Sequence, residues 1–127
     1  MPRKFSLLSI VMAGLVSTGC ASMYPSSAPT QVADGVLAGK NGMTLYTFDR
    51  DVAGSGKSVC NGNCAALWPP LMAGDGAPGG DYSIVMRDDG GKQIAFKGKP
   101  LYYWAKDTKP GEKTGDGVNN VWHVVKP

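Results

Sequence analysis

Histidine is almost absent from this chain. Only His123 occurs in 127 residues, alongside just three cysteines, Cys20, Cys60 and Cys64. A Ser/His/Asp relay would have to be built on that single imidazole, and no Gly-x-Ser-x-Gly elbow accompanies it. No Cys-x-x-Cys-His offers covalent haem attachment, and structural zinc would lack a fourth ligand unless a carboxylate were recruited. Long apolar runs are missing too. The longest, Phe5 to Val16, has 12 residues, against about 20 needed to cross ~30 Å of hydrocarbon. Charge of one sign is also scarce. The 13 basic and 10 acidic residues become 11 and 10 once Arg3 and Lys4 are set aside, which leaves no basic field of the kind nucleic-acid binding requires. After residue 20 no apolar pattern of helical period persists beyond about two turns. The carboxylate pair Asp88-Asp89 falls in a turn, and neither Gly74-Asp-Gly76 nor Gly115-Asp-Gly117 continues into a calcium-loop ligand pattern. No catalytic residue and no cofactor is expected.

What the chain does have begins at its N-terminus. Met1 to Lys4 carry two positive charges, Phe5 to Gly19 carry none, and small residues precede Cys20. A basic start, a short apolar stretch and a small-residue cleavage site compose a secretory signal. Gly19-Cys20-Ala21 resembles the lipobox of bacterial lipoproteins, although Ser17 stands where leucine is usual. The resemblance implies cleavage before Cys20, a lipid anchor on its sulfur and attachment to a membrane. Ala21, not being aspartate, favours the outer membrane. The alternative is ordinary cleavage near Ala21 or Ser22, giving a soluble periplasmic protein; in either case residues 1–19 are expected as a signal peptide. The mature chain of 108 residues is one domain of common size.

Sixteen of the 18 glycines and eight of the nine prolines lie in that mature part. Short apolar stretches between Gly, Asp, Asn and Lys turns predict a mostly β domain of antiparallel strands with long Gly-rich loops. The charge-free Ser/Pro/Ala segment through Gln31, with Cys20 at its head, is expected as a flexible tether (20–31), followed by a β domain (32–127). Strands are expected at Val32–Gly39, Met43–Phe48, Tyr82–Arg87, Gln93–Phe96, Leu101–Trp104 and Val121–Val125. The first two are joined by a type I′ turn at Asn41-Gly42. Cys64–Trp68 is expected as one short helical turn, stopped by Pro69-Pro70.

The chain also repeats itself. Gly42-Met-Thr-Leu-Tyr-Thr-Phe-Asp-Arg-Asp51 aligns with Gly98-Lys-Pro-Leu-Tyr-Tyr-Trp-Ala-Lys-Asp107 at a constant offset of 56, and each unit continues to a tryptophan, Trp68 or Trp122. The repeats are placed at about 42–71 and 98–125, predicting a pseudo-symmetric domain. Strand alternation puts Tyr46 and Phe48 on one face with Leu45 on the other, and likewise Tyr102 and Trp104 against Leu101. Both faces are apolar, so these strands are expected to be central. Asp51 and Asp107 fall just past the strand ends, where a carboxylate can accept loop N–H groups. An aromatic ligand platform is the competing reading of the same residues.

The repeated Tyr-x-aromatic-x-x-Asp, with Cys60-Asn-Gly-Asn-Cys64-Ala-Ala-Leu-Trp68-Pro69-Pro70-Leu71 and the closing Gly115-Asp-Gly117-Val-Asn-Asn-Val121-Trp122-His123, resembles the bacterial secreted-repeat lipoproteins. The likeness extends from about Val32 to Pro127. It implies a cell-envelope location and a repeat-built fold, and transfers no activity, since the family's function is unknown.

With Cys20 assigned to lipid, Cys60 and Cys64 remain as an even pair in an oxidising compartment, where a disulfide is expected. The alternative is a periplasmic copper or thiol-redox site that uses Cys60, Cys64 and His123, because two thiolates four residues apart plus an imidazole suit soft copper. The leading expectation is an envelope lipoprotein without catalytic activity, acting as a structural or binding module.

Overall fold

A computed structural model describes residues 28–74 and 78–127. The expected signal segment, Cys20 and most of the expected tether lie outside the described residues. Within them the chain forms seven short strands and one α-helix: β1 (Thr30–Ala33), β2 (Val36–Gly39), β3 (Tyr46–Phe48), α1 (Asn63–Leu67), β4 (Tyr82–Met86), β5 (Lys92–Phe96), β6 (Lys99–Pro100) and β7 (Trp122–Val124). A 3-10 turn at Val118–Asn120 precedes β7. All strand pairs are antiparallel, in three small sheets ordered β1-β2, β3-β7 and β4-β5-β6. The domain is therefore a small, mostly β fold with one five-residue helix.

Two turns differ from the sequence expectation. The stretch Val32–Gly39 is not one strand. Asp34 and Gly35 both take positive φ, 56° and 81°, and Ala33 pairs directly with Val36. This is a two-residue hairpin of the type that Asp-Gly favours. The expected type I′ turn at Asn41-Gly42 is instead a three-residue loop. Gly42 N–H donates to Gly39 O, Gly39 N–H donates to Met43 O, and only Gly42 has positive φ, 85°. A left-handed residue closing a type I turn gives that geometry, and Asn41 Oδ1 accepts Met43 N–H at 2.9 Å. The first strand also starts earlier than expected, since Thr30 and Gln31 already pair with Gly39 and Ala38.

The two halves are built alike. Leu37 N–H donates to Val125 O and Leu45 N–H to Leu37 O; in the second half Ile94 N–H donates to Leu71 O and Leu101 N–H to Ile94 O. The halves meet at Tyr46 and Tyr102, which exchange both backbone hydrogen bonds, at 2.8 and 2.9 Å. A pseudo-two-fold axis passes between them. The β1-β2 hairpin thus corresponds to β4-β5, and the repeat is longer than the motif alone suggests.

Two apolar clusters flank the central strands. One holds Leu37, Leu45, Leu71, Ile94, Leu101 and Val125, three pairs related by the pseudo-two-fold. The other holds Tyr46, Phe48, Cys60, Trp68, Tyr102, Trp104 and Trp122. Alternation from Leu45 into β3 sends Leu45 to the first cluster and Tyr46 and Phe48 to the second. These strands are covered on both sides.

Candidate functional site

The repeated motif forms one aromatic and acidic cluster on the pseudo-two-fold. Its rings stack in a column: Phe48 on Trp122 (centroids 4.1 Å apart, planes at 10°), Trp122 on Trp68 (3.7 Å, 2°) and Trp68 on Trp104 (3.9 Å, 27°). Rings of the first and second repeat alternate along the column, so the order maps onto itself when the halves are exchanged. Tyr46 sets its edge against Trp68 at 5.4 Å, and Tyr102 does the same to Trp122 at 5.2 Å. The two edge contacts match the charge distribution of aromatic rings, and pairs of that kind add ~0.5–1.5 kcal/mol each beyond area burial.

The tyrosines carry the polar half of the cluster, and they reach across. Tyr46 Oη–H donates to Asp107 Oδ2 and Tyr102 Oη–H donates to Asp51 Oδ2, each at 2.6 Å. Each aspartate also holds the loop that follows it. Asp51 Oδ1 accepts Val59 N–H at 2.8 Å, and Asp107 Oδ1 accepts Thr114 N–H at 3.0 Å and the Thr114 hydroxyl at 2.6 Å. Asp51 and Asp107 are 5% and 7% exposed, and both tyrosines are fully buried. An aspartate in this arrangement closes its own loop while binding the tyrosine of the other repeat. Burial pushes both phenols well above their ordinary range, and the hydrogen-bonded carboxylates push them further. Burial likewise raises the Asp51 carboxyl, against the opposing pull of Tyr102, Val59 N–H and the Arg87 charge.

Around this symmetric centre the halves differ. The Tyr102 side carries a buried guanidinium. Arg87 Nη1 donates to Ser58 Oγ (3.1 Å) and Gln93 Oε1 (2.8 Å), and Nη2 donates to Cys60 O (2.8 Å). The Ser58 hydroxyl lies 2.6 Å from Tyr102 Oη, completing a chain from Arg87 to Asp51. Its formal counter-charge, Asp89, is largely exposed and sits 3.4 Å from Nε. On the Tyr46 side a glycine takes the serine's place. Gly115 N–H donates to Tyr46 Oη at 3.1 Å, and a Cβ there would come within 2.9 Å of both Trp104 and Trp68. Only glycine lets that backbone lie on the ring faces. The sequence gives no sign of the role of either Arg87 or Gly115. A single arginine at a strand end carries no sign of burial, and glycines are too common in this chain for one to stand out.

Cys60 and Cys64 form a disulfide with Cα atoms 5.1 Å apart. Cys60 is fully buried in the aromatic cluster. The bridge ties the end of the long loop to the first turn of α1, which leads directly into Trp68. In the second repeat Val118 occupies the place of Cys64, before Trp122, and packs on the same cluster. His123 faces away from the cysteines. Its strand neighbours Trp122 and Val124 point to the aromatic cluster, and its Nε2 lies 2.9 Å from Asp49 Oδ2 at the surface. Cys60, Cys64 and His123 are therefore not gathered into one donor set. Among the described residues no group of three or more His, Cys, Asp or Glu side chains is placed to hold a metal ion. The column also answers the platform reading. Trp68 and Trp122 are covered on both faces by other rings, and Phe48 and Trp104 are each only 9% exposed.

Among the described residues no helix is long and apolar enough to cross a membrane. Comparison with curated proteins and with solved structures returned no match. A family profile described as a secreted repeat of unknown function matches the chain twice, over residues 30–72 and 83–126. The first match opens at Thr30, where β1 begins, and the second opens within β4. Each match therefore takes in a hairpin as well as the motif. The chain belongs to this family of exported repeat proteins, and its two copies of the repeat are the two halves of the fold.

Proposed function

We propose that the protein is a lipoprotein of the cell envelope, cut before Cys20 and held there by acyl chains. Its folded domain then acts without catalysis, as a structural or binding module outside the cytoplasm. The observation that carries the non-catalytic reading is the closure of the motif upon itself. Each tyrosine hydroxyl of the motif is bonded to the aspartate of the opposite repeat. Its rings stack on one another, so the chemically capable side chains serve cohesion. The lipid anchor rests on the Gly19-Cys20-Ala21 segment and on the export that family membership implies. A single acyl chain holds a protein only marginally at ~0.8 kcal/mol per buried CH2, so durable attachment needs the several chains such a cysteine carries.

The experiment is membrane fractionation with intact mass measurement of the natural chain and of Cys20→Ser. The natural chain should sediment with membranes and carry a diacylglycerol and an acyl mass on a chain beginning at Cys20. The variant should be found in the soluble envelope fraction. A soluble natural chain beginning at Ala21 or Ser22 would overturn the anchor and leave a free periplasmic domain.

A further inference from the structure

The stacked column has a property that cohesion alone does not require, and it is independent of how the protein is anchored. We propose that the ring column and its tyrosine–aspartate pairs form a one-electron relay, entered at Trp104 and ending in a neutral radical on Tyr46.

The column is continuous. Its three indoles lie 3.7 and 3.9 Å apart between centroids, and Tyr46 abuts Trp68. Its two ends are not equivalent. Phe48 closes one end and Trp104 the other, each with a sliver of exposure. A benzene ring gives up an electron far less readily than an indole, so the pseudo-symmetry is broken for electron transfer and Trp104 is the entry. Lys106 Nζ stands 5.8 Å from the Trp104 ring. Its charge opposes a positive hole resting there and favours movement inward.

The oxidant is of the one-electron class formed when peroxide reacts with a transition-metal centre. It takes one electron from Trp104 and is itself reduced by one. Trp68 refills Trp104, and Tyr46 refills Trp68. As Tyr46 loses its electron, its phenolic proton moves along the 2.6 Å hydrogen bond to Asp107 Oδ2. The products are a neutral tyrosyl radical, a neutral Asp107 carboxyl and restored indoles. One electron has left, one proton has changed oxygen, and no carbon bond has altered. Burial keeps the Tyr46 phenol protonated until that moment.

Tyr102 is the poorer terminus because of Arg87. Transfer of a proton to Asp51 would neutralise the carboxylate whose field offsets a guanidinium bonded to Ser58, the direct partner of Tyr102. An uncompensated charge in a poorly solvated site is costly. Among the described residues, Tyr46 and Asp107 take their hydrogen bonds from Thr114, Gly115 and each other, with no cation among them. The relay thus carries oxidising equivalents to a buried phenol.

The test is flash oxidation of the purified full chain by photogenerated tris(bipyridine)ruthenium(III), with electron paramagnetic resonance on protein labelled with ring-deuterated tyrosine. A tyrosyl radical should form in the natural chain, vanish in Tyr46→Phe and persist in Tyr102→Phe. Trp104→Phe should cut its yield severalfold. That variant keeps a ring the column already accepts at Phe48, so the fold is preserved. Phe48→Trp in the Trp104→Phe background should restore the yield from the other end. The relay is overturned by a tyrosyl signal that survives Tyr46→Phe, by a yield indifferent to Trp104→Phe, or by radicals on tryptophan alone.

Discussion

Replacing Tyr102 with phenylalanine deletes one hydroxyl and keeps the ring, so the column and the cavity volume stay intact. What is lost is the 2.6 Å hydrogen bond to Asp51 and the acceptor for Ser58. A buried hydrogen bond to a charged partner is worth about 1.5–3 kcal/mol, and a stranded donor adds to that. Asp51 keeps only Val59 N–H as a direct donor, whereas Asp107 after Tyr46→Phe would keep both Thr114 donors. Tyr102→Phe should therefore cost about 2–3 kcal/mol, the larger of the two effects, and lower the melting temperature by about 10–20 °C for a domain of this size. The deficit should also depend on pH. The Asp51 carboxyl is already raised in the folded state, chiefly by burial. Such a group binds more protons folded than unfolded, so its contribution is most favourable below the ordinary carboxylate value and is lost as the pH rises through the folded value. Without the phenol the folded value climbs further. Urea unfolding followed by circular dichroism should show the deficit largest near pH 7 and smaller near about pH 4. A cost below ~0.5 kcal/mol, the range of ordinary surface substitutions, or a deficit unchanged across that pH range, would refute the reasoning.

Other outcomes follow from the same geometry. Cys60→Ala with Cys64→Ala should cost about 2 kcal/mol by loop-closure entropy for so small a loop, seen in chemical unfolding with and without reductant. Gly115→Ala places a Cβ 2.9 Å from two indoles; it should cost about 1–3 kcal/mol and flatten the near-ultraviolet dichroism of the column while the far-ultraviolet spectrum persists. Arg87→Ala strands Cys60 O, Ser58 and Gln93 in the interior and should cost about 3 kcal/mol or more by urea denaturation. His123→Ala removes a surface pair with Asp49 and should change stability by no more than ~1 kcal/mol; copper binding dependent on His123, read by native mass spectrometry, would reopen the metal reading.

Much of the architecture was legible because it depends on patterns that repeat. The offset of 56 between the motifs marks two like halves, and apolar residues on both faces of Leu45–Phe48 mark a covered strand. The boundaries were harder to read. Asp34-Gly35 is as strong a hairpin signal as Asn41-Gly42, yet it lies inside an apolar stretch that reads as one strand. Recognising it would have extended the repeat to β1. The exchange of partners between repeats was not legible, because Tyr46 and Asp51 are close in sequence and nothing local indicates that Tyr46 bonds Asp107 instead. Arg87 was hidden for a related reason. Its burial depends on Ser58, Cys60 and Gln93 meeting in space, which only the closed fold brings about.

The claim that each tyrosine grips the aspartate of the opposite repeat is tested most directly by double-mutant cycles at neutral pH. Tyr102→Phe with Asp51→Asn should show a coupling of about 1–3 kcal/mol, and Tyr46→Phe with Asp51→Asn a coupling within the ~0.5 kcal/mol of independent sites. The reverse pattern, with Asp51 coupled to Tyr46 of its own repeat and indifferent to Tyr102, would contradict the cross-clasped fold.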